Sequence, residues 1–382
     1  MTAGTYGVAV AAAGAVTCLG DSADTTWQAL LQGRSGLGPL TLFPADGHRS
    51  TTTGQVPGYD GTHGGDRLAA LAARAIGQAV EQASAGAGLA AEDVADAWVV
   101  LGISLGDIFE QRGQDVELDH FWDRVAQPLG LTGPLVTLSS ACSSGTDAVA
   151  YGADLIASGV ARVVLAVGVD SLEPGKFTGH SRLKTMSPDR CRPYDAASDG
   201  TTLAEGACCL VLTAPQDVRG EPLAHLAGWA AGTDIDSLTS PDMSGENAAR
   251  MLRAALAMAG AGPRDVAHLN GHGSGTPVND EMEAAVYRQV FPDGQAVLSG
   301  TKGALGHSLG ATGTVEALVT AYALRDRTAP PTAGLRRPHE RWAGIPVAAG
   351  RPAPLGGAPL GLSVTYGFGG ANSCVVLAGT AR

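Results

Sequence analysis

The sequence predicts an α/β protein built from two similar halves, and three observations carry that expectation. Helix and strand signals alternate along the chain, the order that layers helices on a sheet. A connector recurs: Ala85-Gly-Ala-Gly88 ahead of Asp93-Val-Ala95 is matched half a chain later by Ala259-Gly-Ala-Gly262 ahead of Asp265-Val-Ala267. Two segments, Val163–Val169 and Ala207–Leu212, are continuous apolar runs, the pattern of strands covered on both faces.

Taken in order, Met1 to Gly20 is apolar, lacks a basic start and is interrupted by Gly4, Gly7 and Gly14, so it reads as a first strand and turn rather than a signal peptide. Leu68, Leu71, Ala72, Ala75, Ile76, Ala79 and Val80 recur at helical spacing, and Trp98–Leu101 follows as a short buried strand. A helical pattern also starts directly after Cys142. The polar stretch from Pro215 to Pro222 divides the chain into residues 1–215, which carry a candidate nucleophile, and residues 216–382. In the second half Met251, Leu252, Ala255, Leu256 and Ala259 repeat the helical pattern ahead of an apolar step to Leu269. Strands over 361–365 and 373–377, joined by a glycine loop, close the chain.

Composition removes several function classes. Of 382 residues 45% are apolar and only 16% charged, against a usual charged share of about 25%, which excludes intrinsic disorder. The 25 basic and 37 acidic residues leave a net charge of −12 with no Lys/Arg run, a poor match to nucleic acid. No apolar run reaches the roughly 18 residues of a membrane span. The six cysteines (Cys18, Cys142, Cys191, Cys208, Cys209 and Cys374) show no framework spacing and no Cys-x-x-Cys pair. A cytoplasmic protein is expected.

Four stretches carry candidate chemistry. In Leu138-Ser-Ser-Ala-Cys-Ser-Ser-Gly-Thr146, small residues surround Cys142 just ahead of a helix. The positive end of a helix dipole lowers a thiol pKa from about 8.5 toward roughly 3.5–7.5. In Leu269-Asn-Gly-His-Gly-Ser-Gly-Thr-Pro277, His272 lies among glycines after a strand. His268 and His272 have the spacing of a helical metal pair, but three glycines and a proline oppose a helix and no third ligand follows, so no metal site is expected. In Ser299-Gly-Thr-Lys-Gly-Ala-Leu-Gly-His-Ser-Leu-Gly-Ala-Thr-Gly313, Lys302 and His307 share a glycine-spaced loop ahead of an apolar helix containing Glu316. A carboxylate there needs a partner, and Lys302 or a backbone N–H supplies it; the P-loop order is absent. Finally, Ser363-Val-Thr-Tyr-Gly-Phe-Gly-Gly-Ala-Asn372 offers backbone N–H groups in a glycine loop. Asp195–Glu205 imitates a calcium loop, but Ala197 and Gly206 break the ligand set. A thiol nucleophile, two histidines and an amide loop together fit acyl transfer through a thioester.

These motifs, in this order, resemble the β-ketoacyl-acyl-carrier-protein synthases of elongating type, members of the thiolase-like superfamily that condense chains in fatty acid and polyketide synthesis. The match also includes Gly14-Ala-Val-Thr-Cys-Leu-Gly20, Gly33-Arg-Ser-Gly36, Arg192-Pro-Tyr-Asp195, Asp199-Gly200 and Glu205-Gly206. The resemblance implies the thiolase fold, two similar halves of mixed sheet and helices in five layers, as a dimer. It implies that Cys142 accepts the acyl chain and that His272 and His307 assist malonyl decarboxylation and stabilise the enolate. Lys302 and Glu316 organise the histidines. The N–H groups of Cys142 and Phe368 form the oxyanion hole, and the Phe368 ring gates the acyl pocket. No cofactor is implied beyond the phosphopantetheine of the acyl carrier protein, which is the expected partner.

Two departures stand out. The usual Asn-Ser-Phe before Gly-Phe-Gly-Gly reads Val364-Thr365-Tyr366, which alters the pocket beside the gate, and the stretch Ile108 to Pro134 is shorter than the family norm. The alternatives are an acyltransferase acting on an alcohol or amine, and the ketosynthase subunit of a heterodimer with a chain-length factor. Arg182 and Lys184, with Lys176, Arg190 and Arg192 nearby, form a candidate basic patch for docking the carrier.

Overall fold

The computed structural model describes residues 7–59, 61–109, 111, 117–234, 237 and 240–380. Ten strands build the main sheet. The first half supplies β1 (Val8–Val16), β2 (Trp98–Gly102), β3 (Leu135–Leu138), β4 (Val163–Asp170) and β5 (Gly206–Thr213). The second supplies β6 (Ala224–Thr233), β7 (Val266–Asn270), β8 (Val297–Ser299), β9 (Leu360–Tyr366) and β10 (Ala371–Ala378). Their spatial order is β8-β7-β9-β10-β6-β1-β5-β4-β2-β3. Read outward from the centre, both halves run first strand, last strand, fourth, second, third. They meet where Val8–Val10 of β1 pairs antiparallel with Leu226–Ala224 of β6.

The layering follows from which faces are apolar. Helices Ser144–Ala157 and Thr312–Arg325 pack against one another in the middle, where their side chains share one core with the inner faces of both halves. Helix Gly64–Ala85 covers the outer face of the first half through Leu68, Leu71, Ala72, Ala75, Ile76 and Ala79. Helix Glu246–Met258 covers that of the second through Met251, Leu252, Ala255 and Leu256. The α/β expectation holds, in five layers. The connector match does not mark equivalent positions, however. Asp93–Ala95 lies in the short helix Ala91–Ala95, several residues ahead of β2, whereas Asp265 ends a 3-10 turn and Val266 already begins β7. The duplication lives in the topology, not in that sequence match.

Central packing leaves room for little beyond glycine. A Cβ on Gly145 would lie 2.6 Å from the Gly310 carbonyl oxygen, and one on Gly313 would lie 2.2 Å from the Thr146 nitrogen. This close approach brings the N-termini of the two central helices together, and the candidate site forms there.

Candidate active site

The nucleophile motif leaves β3 through Ser139 and Ser140 and turns at Ala141, whose φ of 53° is unusual for a residue with a Cβ. Residues Ala141–Ser143 form one 3-10 turn before the helix Ser144–Ala157. Three bonds hold the turn: Ser140 N–H donates to Ser144 Oγ (2.9 Å), Ser144 Oγ donates to the Ala141 carbonyl (2.7 Å), and Ser143 Oγ donates to the Ala371 carbonyl beyond the glycine loop (2.6 Å). Cys142 sits at the helix terminus as expected, but buried among Leu172, Phe177, Met186, Leu203 and Leu309. Burial pushes its thiol up to about 11, against the opposing pull of the Lys302 charge and of the Phe368 and Cys142 N–H groups. The thiol is raised where the sequence leads one to expect a lowered one: desolvation outweighs the Lys302 charge and the two N–H donors, so a neighbour must take up its proton.

The imidazole bonded to the thiol is that of His307. Its Nε2 lies 3.0 Å from Cys142 Sγ, while Nδ1 lies 3.0 Å from Thr312 Oγ1 and accepts from the Leu309 N–H at 3.3 Å. Accepting from Leu309 puts the ring proton on Nε2; giving up that 3.3 Å bond lets Nδ1 donate to the Thr312 hydroxyl instead and frees Nε2 to take the thiol proton. The His272 ring stands edge-on to His307, centroids 5.3 Å apart. Burial, then the Lys302 charge, drives both imidazoles well below 6.5, and they stay neutral.

The His272 loop is held from both sides. Glu283 accepts from the N–H groups of His272 (2.7 Å) and Gly273 (2.8 Å) and from Asn279 Nδ2 (2.7 Å). Lys302 Nζ donates to the His272 carbonyl and to Glu316 Oε1, the latter at 2.8 Å, and Thr301 Oγ1 reaches the same carboxylate oxygen at 2.7 Å. Lys302 is therefore the partner of Glu316. Glu283 was not singled out by sequence reasoning. Its signal was a carboxylate within the first two turns of helix Pro277–Val290, close behind the histidine loop.

The glycine loop closes the site. Gly369 and Gly370 have φ of 78° and 76°, and a Cβ on Gly370 would lie 2.0 Å from the Asp234 carbonyl oxygen. Phe368 thereby brings its N–H to the Cys142 sulfur. Cys142, His272, His307, Tyr366, Phe368 and Lys184 line one cavity of about 320 Å³. Of the departing residues, Thr365 Oγ1 donates to Thr146 Oγ1 (2.9 Å), and the buried Tyr366 ring lies 5.9 Å from that of His272. Part of the stretch from Ile108 to Pro134 (residues 110 and 112–116) lies outside the described residues.

The basic patch is smaller than the sequence suggests. Arg182 and Lys184 are exposed, with Lys184 at the cavity mouth. Lys176 is buried and bonded to Asp170 Oδ1 at 2.6 Å, so it faces no partner. Arg190 and Arg192 are both paired with Asp189. His268 is buried in β7, with Nε2 2.8 Å from Ser299 Oγ. Among the described residues no group of three or more His, Cys, Asp or Glu is arranged to hold a metal ion, and no helix is long and apolar enough to cross a membrane.

Comparison with known proteins adds a family to this geometry. The model of the β-ketoacyl synthase N-terminal domain matches residues 6–217 and that of the C-terminal domain residues 223–336. Nodulation protein E of Rhizobium leguminosarum bv. trifolii is 32% identical, over 87% of this chain and 89% of its own length. The putative polyketide beta-ketoacyl synthase 1 of Streptomyces cyaneus is 31% identical over 98% of each chain. Among solved structures, the ishigamide ketosynthase/chain length factor superposes with a TM-score of 0.88 at 25% identity, covering 98% of this chain and 100% of that one. The Xenorhabdus doucetiae ketosynthase in complex with its chain length factor gives a TM-score of 0.80 at 26% identity over 98% of each chain.

Proposed function

Because the chain belongs to the β-ketoacyl synthase family, we propose that it is an acyltransferase that condenses an acyl thioester with malonyl-acyl-carrier protein, losing carbon dioxide and giving a β-ketoacyl thioester. The observation that carries this reading is the convergence on one sulfur: His307 Nε2 at 3.0 Å from Cys142 Sγ, the Phe368 N–H beside it, and the His272 ring against His307.

In the first half-reaction Cys142 Sγ bonds to the acyl carbon, the carbon–sulfur bond to pantetheine breaks, and the thiol proton passes through His307 Nε2 to the leaving sulfur. The tetrahedral oxyanion is met by the N–H groups of Cys142 and Phe368. In the second, malonyl releases carbon dioxide, and the enolate oxygen is stabilised by His272 and His307. Both are neutral and so donate without a charge to desolvate. The enolate carbon bonds to the acyl carbon, the Cys142 carbon–sulfur bond breaks, the departing thiolate takes the proton of His307 Nε2 (which solvent restores to the ring), and the product leaves on the carrier. Lys302 and Glu316, with Glu283, position the His272 backbone.

In this reading the substrates arrive on phosphopantetheine and loss of carbon dioxide drives the bond formation, with no further cofactor. The acyl carrier protein is one partner and a second subunit the other. Solved structures of ketosynthases with chain length factors support a heterodimer, with a homodimer as its alternative. The six cysteines are free, which supports the cytoplasm as the compartment. Incubation with acyl- and malonyl-carrier protein, followed by mass analysis of the carrier, tests the reaction. A carrier-bound β-ketoacyl product supports it; an ester or amide of an added acceptor with no condensation replaces it with transfer to an alcohol or amine.

A further inference from the structure

A third histidine stands at the gate, and nothing above gives it a role. His180 lies in the last turn of helix Pro174–Arg182 and lines the same cavity as Cys142. Its ring stacks on that of Phe368, with centroids 5.6 Å apart and planes inclined by 21°. Its Nδ1 lies 3.1 Å from Thr185 Oγ1, and that hydroxyl in turn reaches the His180 carbonyl at 3.2 Å. The imidazole is therefore fixed in orientation rather than free to rotate.

The two sides of this stack differ in stiffness. Helix Pro174–Arg182 is fastened near its start by buried Lys176, which bonds Asp170 Oδ1 at 2.6 Å, and Asp170 Oδ2 also accepts from Gly310 N–H at 2.9 Å. Phe368, by contrast, projects from a loop of glycines, whose backbone has the widest conformational freedom of any residue. A ring on a helix tied into the core thus faces a ring on a loop of glycines, and the same loop carries the N–H directed at the Cys142 sulfur. Aromatic stacks of this kind contribute about 0.5–1.5 kcal/mol beyond area burial. Burial lowers the His180 pKa to about 4, which keeps the stacked ring neutral.

We infer that His180 is a positioning residue that holds the Phe368 loop closed over Cys142, setting both the oxyanion N–H and access to the thiol. The catalytic half of this inference rests on the acyl-transfer reading above; the access half does not. His180→Ala should then move two rates in opposite directions. Acylation of Cys142 by an acyl-pantetheine thioester should slow roughly 2- to 13-fold through kcat with little change in KM, a range that is the stack's free energy expressed as a rate. Alkylation of Cys142 by N-ethylmaleimide, located by peptide mass spectrometry, should speed up. His180→Phe keeps a flat ring and should restore both rates, whereas His180→Leu should not.

A fall in both rates together with the thermal midpoint would mean that His180 only supports the fold, and equal rescue by Leu and Phe would mean that bulk, not stacking, matters. Either result overturns the inference. If the unaltered protein accepts no acyl group while alkylation still responds to His180→Ala, the acyl-transfer reading fails and the gate survives.

Discussion

The two halves of the molecule contain the same turn and use it differently. In the first, Ala141 at φ 53° opens a 3-10 turn that leads into the helix Ser144–Ala157. In the second, Leu309 at φ 46° opens a 3-10 turn that leads into Thr312–Arg325. Both helices span 14 residues, and Gly145 and Gly313, each second in its helix, make the close approach between them. One half places a thiol inside its turn; the other places an imidazole just ahead of its own and a carboxylate, Glu316, in the following helix. Ala148 occupies the position in the first helix that Glu316 occupies in the second. A duplicated scaffold thus delivers a thiol and an imidazole to one point by symmetry, and specialises the two halves by a few side chains.

The sharpest break in that division is loss of the thiol. Cys142→Ala should remove all covalent acylation, while Cys208→Ala and Cys209→Ala retain it. Burial pushes both of those strand thiols far up, and among the described residues neither is bonded to an imidazole; intact-protein mass spectrometry reads the outcome. Next comes the carboxylate that only the second half carries. Glu316→Leu leaves the Lys302 ammonium buried and unpaired, which costs about 3–5 kcal/mol of stability in urea denaturation. The double variant Lys302→Met/Glu316→Leu should recover part of that loss, and failure to recover any would mean the pair acts through something other than mutual charge.

The histidines divide by distance from the sulfur. Because the Cys142 thiol is raised rather than lowered, the proton contact with His307 matters for acylation as well as condensation. His307→Ala should slow both, by roughly 10²–10³, in single-turnover assays. His272→Ala, whose ring reaches the thiol only through His307, should accept acyl groups at near the original rate and lose condensation by a similar factor. Equal acylation in the two variants would erase the distinction.

How much of this was legible in the sequence follows from the kind of signal. Helix and strand positions were, because burial writes a period: the continuous run Val163–Val169 lies within β4, and the Leu68–Val80 spacing lies within helix Gly64–Ala85. Residues in glycine-spaced motifs were singled out because glycine marks close backbone approach, and Cys142, His272, His307, Lys302 and Phe368 all come together or act through adjacent backbone. Illegible were contacts set only by tertiary burial. Nothing local says that Cys142 is desolvated, that Lys176 points inward to Asp170, that Glu283 holds the His272 loop, or that His180 stacks on Phe368. The repeated Asp-Val-Ala triplet misled for the complementary reason: short matches in alanine-rich chains carry no register.

Buried neutral histidines also give the fold a pH dependence. Burial lowers His268 to about 3 from 6.5, so below pH 6.5 the unfolded chain binds a proton that the folded state refuses. Stability therefore rises with pH through this window and is lost as pH falls from 6.5 toward the folded value, by up to about 1.4 kcal/mol per pH unit for one such group. His268→Gln should flatten the fall in urea midpoint between pH 6 and pH 4. An unchanged slope would place the acid sensitivity in other groups, with His272 and His307 the next to test.

The smallest effect belongs to the surface that would receive the carrier. The protein carries a net charge of −12, and exposed charges are screened beyond about 8 Å at physiological salt, so attraction of an acidic partner must be local. Only Arg182 and Lys184 of the original cluster remain candidates, since Lys176 is buried and Arg190 and Arg192 face Asp189. Each exposed charge contributes about 0.2–1 kcal/mol. Arg182→Glu with Lys184→Glu should therefore raise the carrier's KM by roughly 2- to 30-fold and weaken its dependence on salt. Acyl-pantetheine substrates, which enter the cavity without touching the patch, should keep their KM. A parallel rise for both substrates would show instead that Lys184, which lines the mouth at φ 59°, shapes the entrance rather than the docking surface.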